Sequence, residues 1–110
     1  MIQRTIEEIE ARLNQTEHLT EENRRELLHL LNTLKSEIND FSTTHGDQAQ
    51  SIARFTSLSA YEATRAEPNP KLLDLSLSGL KASVDGFEKS HPKLVQIVNQ
   101  MCTTLSNIGI

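Results

Sequence analysis

Two Glu-x-x-His pairs are the residues whose types and spacing come nearest to chemistry: Glu26-Leu27-Leu28-His29 and Glu88-Lys89-Ser90-His91. On a helix, positions three apart share a face, so each pair would set a carboxylate beside an imidazole. Four-helix di-iron proteins hold their metals with two such pairs and one Glu from each of two further helices. Three features weigh against that use here. Leu27, Leu31 and Leu34 form the apolar stripe of their helix, which turns Glu26 and His29 away from the core. His91 stands beside Pro92 at a joint, and the supporting carboxylates reduce to Glu8, Glu10 or Glu62. The pairs therefore read first as a solvated face and a capping joint, with a metal or small-ligand site on Glu26, His29, Glu88 and His91 as the alternative.

The remaining reactive side chains are isolated. Cys102 is the sole cysteine. It cannot form an intramolecular disulfide, which fits a reducing compartment, and it sits in an apolar run with no activating neighbour. It reads as a small buried hydrophobe. His18 and His45 fall in turns, and His45-Gly46 reads as a helix C-cap with Gly46 left-handed. There is no Gly-rich phosphate loop, Cys-x-x-Cys pair or nucleophile elbow. No enzyme, cofactor or resident metal is expected.

The elements that must carry these residues are helical. Leu73, Leu77, Leu80, Val84 and Phe87, then Leu94, Val98, Met101, Leu105 and Ile108, recur in alternating steps of four and three, interrupted only by His91. Such spacing forms the narrow seam of coiled coils and slender bundles. Leu27, Leu31, Leu34, Ile38 and Phe41 repeat it. A short first helix opens on a Thr5-x-x-Glu8 capping box and lines Ile2, Ile6, Ile9 and Leu13 along one face. Thr20 caps a second helix, with Glu21 and Glu22 where the dipole favours them. Residues 47–67 allow a helix diluted by Ser and Thr. Asn69-Pro70 starts a fourth, running to about Lys89 with Gly79 and Gly86 inside it. Because the four–three phase persists through Ser90-His91-Pro92, that joint reads as a bend between two segments, with a full hairpin as the other option.

Composition sets further limits. The 110 residues suit one domain: an N-terminal helical pair at 1–41, a variable middle at 42–69 and C-terminal helical segments at 70–110. With no Trp, one Tyr and three Phe, the core must be aliphatic, and base-stacking platforms for single strands are excluded. Residues 1–41 hold five basic and nine acidic side chains, which disfavours phosphate backbones and so nucleic acid. Leu94–Ile110 carries no charged side chain, but its Gln, Asn, Thr and Ser residues make it a buried or interface helix and not a membrane span.

Three segments carry a family resemblance. They are Phe87-Glu88-x-Ser90-His91-Pro92-x-Leu94, the closing Leu105-Ser106-Asn107-Ile108-Gly109-Ile110, and Leu19-Thr20-Glu21-Glu22 with Glu26-Leu27-Leu28. In these the chain resembles a bacterial family of short helical proteins, the domain-of-unknown-function family numbered 4404. The resemblance implies a helical fold and brings no activity.

The expectation is an all-α protein of four to five helices with heptad-like seams, a helical bundle or coiled-coil-like oligomer. A seam near thirty-six residues long, counting the joint, asks for cover from a second copy. The seam residues Leu73 to Ile108 named above are then the interface of a homo-oligomer, a dimer or tetramer. The functional expectation is a cytoplasmic, non-enzymatic interaction or scaffold protein acting through self-association, with an unidentified protein partner as a further option.

Overall fold

The computed structural model describes residues 2–109, so Met1 and the closing Ile110 of the family-like motif lie outside the described residues. Five helices follow one another: α1 Ile2–Gln15, α2 Glu21–Ser42, α3 Gly46–Ala63, α4 Pro70–Ala82 and α5 Pro92–Gly109. The protein is all-α.

Local chemistry sets most helix ends. The Thr20 hydroxyl accepts from the Asn23 amide at 3.1 Å, and Glu21 and Glu22 occupy the first turn of α2. Such a cap contributes about 1 kcal/mol. The Asn69 carboxamide accepts from the amides of Lys71 and Leu72, with Pro70 as the first residue of α4. Three boundaries depart from expectation. Helix α1 already runs at Ile2, so Thr5 and Glu8 lie within it and do not cap it. Gly46 begins α3 without a left-handed φ, because the amides of Thr43, Thr44 and His45 close the end of α2 on the Asp40 and Phe41 carbonyls. Gly86 lies outside any helix and carries a φ of +91°, a conformation that favours glycine.

That glycine overturns the expected bend. Helix α4 stops at Ala82, and nine residues, 83–91, turn the chain before α5. Helices α4 and α5 then pack against each other. The Cys102 thiol lies 4.0 Å from the Leu77 carbonyl, while Gly109 packs on Leu73, so the two run antiparallel. The four–three phase crosses the joint only because both halves of the stripe face one core.

The same geometry corrects the assignment of the seam as an oligomer interface. A continuous helix of thirty-six residues would span roughly 54 Å, yet the longest dimension of the molecule is 37 Å. Its radius of gyration, 12.9 Å, agrees with the roughly 13 Å of a compact domain of this length. Leu73, Leu77, Leu80, Val84, Leu94, Val98, Met101 and Leu105 are buried within the single chain, and Phe87 and Ile108 pack half-buried against the same core. The α2 seam, Leu27 to Phe41, is buried with them. The stripes cover one another, so no second copy is needed to shield them.

Helix α3 is the hub, touching each of the other four helices. Its buried positions are mostly small: Ala49, Ala53, Thr56, Ser59, Ala60 and Ala63. A helix enclosed by neighbours needs such residues so that the surrounding backbones can approach. Thr56 returns its hydroxyl to the Ile52 carbonyl, whereas the buried Ser59 hydroxyl has no partner. The Ser and Thr content that diluted this helix in the sequence is the signature of its central place.

Candidate functional site

The two Glu-x-x-His pairs are not brought to one centre. His29 is exposed on α2 opposite the seam, and Glu26 is exposed on the flank of the seam that faces α5. Glu88 is exposed and accepts from the Gly86 amide at 3.0 Å, fastening the α4–α5 turn. His91 turns into a ring cluster. Among the described residues, no group of three or more His, Cys, Asp or Glu side chains is placed to hold a metal ion.

The carboxylates nevertheless share a surface. An open groove of about 690 Å³ runs between α2 and α5, and Glu26 and Glu88 both line it. Glu26 accepts from the Thr104 hydroxyl at 3.3 Å, which ties the start of α2 to the end of α5. At the opposite end Phe41 of α2 meets Phe87 and His91, with ring centroids 4.9 and 4.8 Å away. The two helices therefore run antiparallel along the groove.

That ring cluster has four members. His45 stacks on Phe41, while Phe87 and His91 approach both edge-on. The Thr44 hydroxyl lies 2.7 Å from His45 Nδ1 and 3.4 Å from the Phe41 carbonyl, which holds the ring in place. His91 Nδ1 lies 3.0 Å from the Ser90 hydroxyl. His45 and His91 each immediately precede a helix, at the starts of α3 and α5. Their role in the fold is to join these two helix starts to the end of α2. His18 is exposed in the α1–α2 turn.

Cys102 is buried, and burial pushes its thiol above the ordinary range against the opposing pull of Lys81. A thiolate nucleophile is disfavoured there.

The sequence reading missed one surface. Among the described residues, the exposed large apolar side chains are Leu58, Tyr61, Leu72 and Leu75, and all four belong to α3 and α4. The Phe55 ring fills the space beside Gly79, which fixes the register of this antiparallel pair. In that register Leu58 stands level with Leu75, and Leu72 with the last turn of α3. The available signal was their position: Leu72 and Leu75 flank the four–three seam, and Leu58 and Tyr61 lie off the alanine stripe. Arg12 lies over the Tyr61 ring at 4.4 Å and donates to the Thr64 hydroxyl at 2.8 Å. Arg65, 6.0 Å from the same ring, pairs with the buried Glu62 at 2.9 Å, and that carboxylate raises the guanidinium pKa further. Exposed Arg54 and Lys71 complete a basic rim.

No helix among the described residues is long and apolar enough to cross a membrane. No curated protein and no solved structure matches the chain. The family model of a domain of unknown function, DUF4404, matches residues 29–110, which takes in most of α2 and all of α3 to α5, and so the exposed apolar face and the groove lining apart from Glu26; the chain belongs to that family.

Proposed function

We propose that this protein works by contact and not by catalysis, as an interaction module whose docking surface is the outer face of the α3–α4 hairpin. The observation that carries this reading is that the large apolar side chains left exposed among the described residues, Leu58, Tyr61, Leu72 and Leu75, all belong to the packed pair α3 and α4, while the seams are covered internally. Isolated exposed leucines need no explanation, but a contiguous apolar face marks a contact surface.

The rim decides the kind of partner. Arg54, Leu58 and Tyr61 follow one stripe of α3, which Arg65 continues past the helix end; Lys71 sits one turn before Leu75. Asp47 stands at the start of α3, and Glu62 and Glu67 face Arg65, so the rim's basic charge rests on Arg12, Arg54 and Lys71, which have no ion pair among the described residues. A basic rim around an apolar centre, in a chain of net charge −4, fits an acidic amphipathic helix. Two copies meeting face to face would oppose their basic rims, so self-association is disfavoured at this surface.

The test is fluorescence anisotropy with a labelled, acidic amphipathic Leu/Glu/Ala helix and its Leu/Lys/Ala counterpart. The acidic peptide should bind, the basic one should not, and Leu58→Asp with Leu75→Asp should weaken binding at least tenfold with thermal stability unchanged. Equal binding of both peptides, or binding indifferent to the double substitution, sinks the proposal. Sedimentation of the protein alone reads self-association: a dimer dissociated by the same substitutions would transfer the face to a second copy.

A further inference from the structure

The groove between α2 and α5 has a different chemistry from the α3–α4 face. Its α5 wall is a stripe of neutral polar side chains, Gln96, Asn99, Gln100 and Thr103, spaced i, i+3, i+4 and i+7. The three carboxamides have no side-chain hydrogen-bond partner within the chain among the described residues, so each offers a donor and an acceptor outward. Leu30 and Val95 supply apolar lining. Among the described residues, the charged ones lining the groove are Glu26 and Glu88. Glu37 continues the α2 stripe of Glu26 and Leu30, eleven residues or three turns on. Lys89 and Lys93 stand outside the lining.

We infer that this groove binds an extended peptide carrying basic side chains near both ends. Paired donor and acceptor groups on neighbouring carboxamides match the alternating N–H and C=O groups of an extended backbone. The carboxylates supply charge-assisted anchors for Lys or Arg. Length agrees as well. Glu26 lies beside Thr104, and Glu88 precedes Pro92 at the other end; the twelve helical steps from Pro92 to Thr104 rise roughly 18 Å. An extended peptide covers that distance in about six residues. The stripe also explains why α5 carries no charge after Lys93: charged side chains there would compete for the anchors or repel the ligand.

The experiment is fluorescence anisotropy on the full chain with a labelled peptide of about eight residues whose lysines are five apart, against the same peptide with Glu for Lys. Spermine is titrated as a cation without a peptide backbone. The lysine peptide should bind and the glutamate peptide should not, and raised salt should weaken binding. Glu26→Gln and Glu88→Gln should each weaken it at least fivefold, and Asn99→Ala about as much. Glu88→Lys, remote from the Thr104 hydrogen bond, serves if Glu26→Gln lowers stability. Leu58→Asp should have no effect, which separates this site from the α3–α4 face. Equal binding of both peptides, or unchanged affinity in the Glu→Gln variants, overturns the assignment. Spermine binding as tightly as the lysine peptide, with Asn99→Ala silent, overturns it in favour of a bare cation site.

Discussion

The imidazole of His45 lies flat on the phenyl ring of Phe41, with centroids 4.7 Å apart and planes within 4° of parallel. Phe41 is fully buried at the end of α2, and His45 directly precedes α3. The contact is therefore a hinge pin between consecutive helices, with Phe87 and His91 pressed against it from the turn before α5. Each aromatic pair contributes about 1 kcal/mol beyond area burial. His45→Ala and His91→Ala should each lower stability by about 1 kcal/mol, and Phe41→Ala by about 3–5 kcal/mol. Urea unfolding measures all three, and a silent Phe41→Ala would contradict the cluster's structural role.

The seam substitutions read out the internal core. Val98 and Met101 are fully buried in one chain, so Val98→Glu should prevent folding and not merely separate subunits. Met101→Ala should cost about 2–5 kcal/mol. Exposed His29→Ala should stay within about 0.5 kcal/mol. Circular dichroism during thermal unfolding tests the set; a folded Val98→Glu monomer would place the seam elsewhere.

Arg24 stitches the first two helices. Its guanidinium donates to the carbonyls of Leu13, Thr16 and Leu19, closing the end of α1 and the turn, while Glu21 holds its Nε at 3.1 Å. Only a planar fork reaches so many acceptors, so Arg24→Lys should recover little of what Arg24→Met loses, about 2 kcal/mol. Equal stability of Arg24→Lys and the native protein in urea would refute this.

Cys102 gives a pH dependence with a definite sign. Burial raises the thiol pKa in the folded state, so above the unfolded thiol pKa, about 8.5, the unfolded chain releases a proton that the folded one retains. The stabilisation is complete below about pH 8.5 and declines as pH rises toward the folded value. Cys102→Ala should show a flatter alkaline decline in chemical unfolding. Alkylation by iodoacetamide at pH 8 should be slow in native protein and fast in urea.

Gly86 tests the turn that separates α4 from α5. Its φ of +91° is strained for a residue with a Cβ, although nothing crowds the position. Gly86→Ala should lower the unfolding midpoint by an amount equivalent to about 1 kcal/mol, and Gly46→Ala, at an ordinary helix start, should not.

Most of the fold was legible because periodicity reports burial. Leu27 to Phe41 and Leu73 to Leu105 were read as apolar stripes and are buried; Thr20 and Asn69-Pro70 marked their helix starts correctly. The joint at 83–91 was not legible, since a stripe carries phase without direction: a bent helix and an antiparallel hairpin leave the same residues facing the core. Its clue was Gly86, whose backbone freedom was read as a weak helix position. The surfaces were harder still. Glu26 and Glu88 meet one groove only because α2 and α5 run antiparallel, and Leu58 joins Leu75 only through the register set at Gly79.

The hub position of α3 sets an order of opening. Its buried side chains are mostly small, where α2 and α4 bury chiefly leucines. Yet it is gripped by four neighbours, whereas α1 touches only α2 and α3. The amides of its inward face, around Ala49, Ala53, Ala60 and Ala63, cannot reach solvent until the neighbouring helices part. Hydrogen exchange should therefore follow the number of packed neighbours and not side-chain size, with α1 surrendering its amide protons early and the alanine-rich inner face of α3 holding them until the whole molecule unfolds.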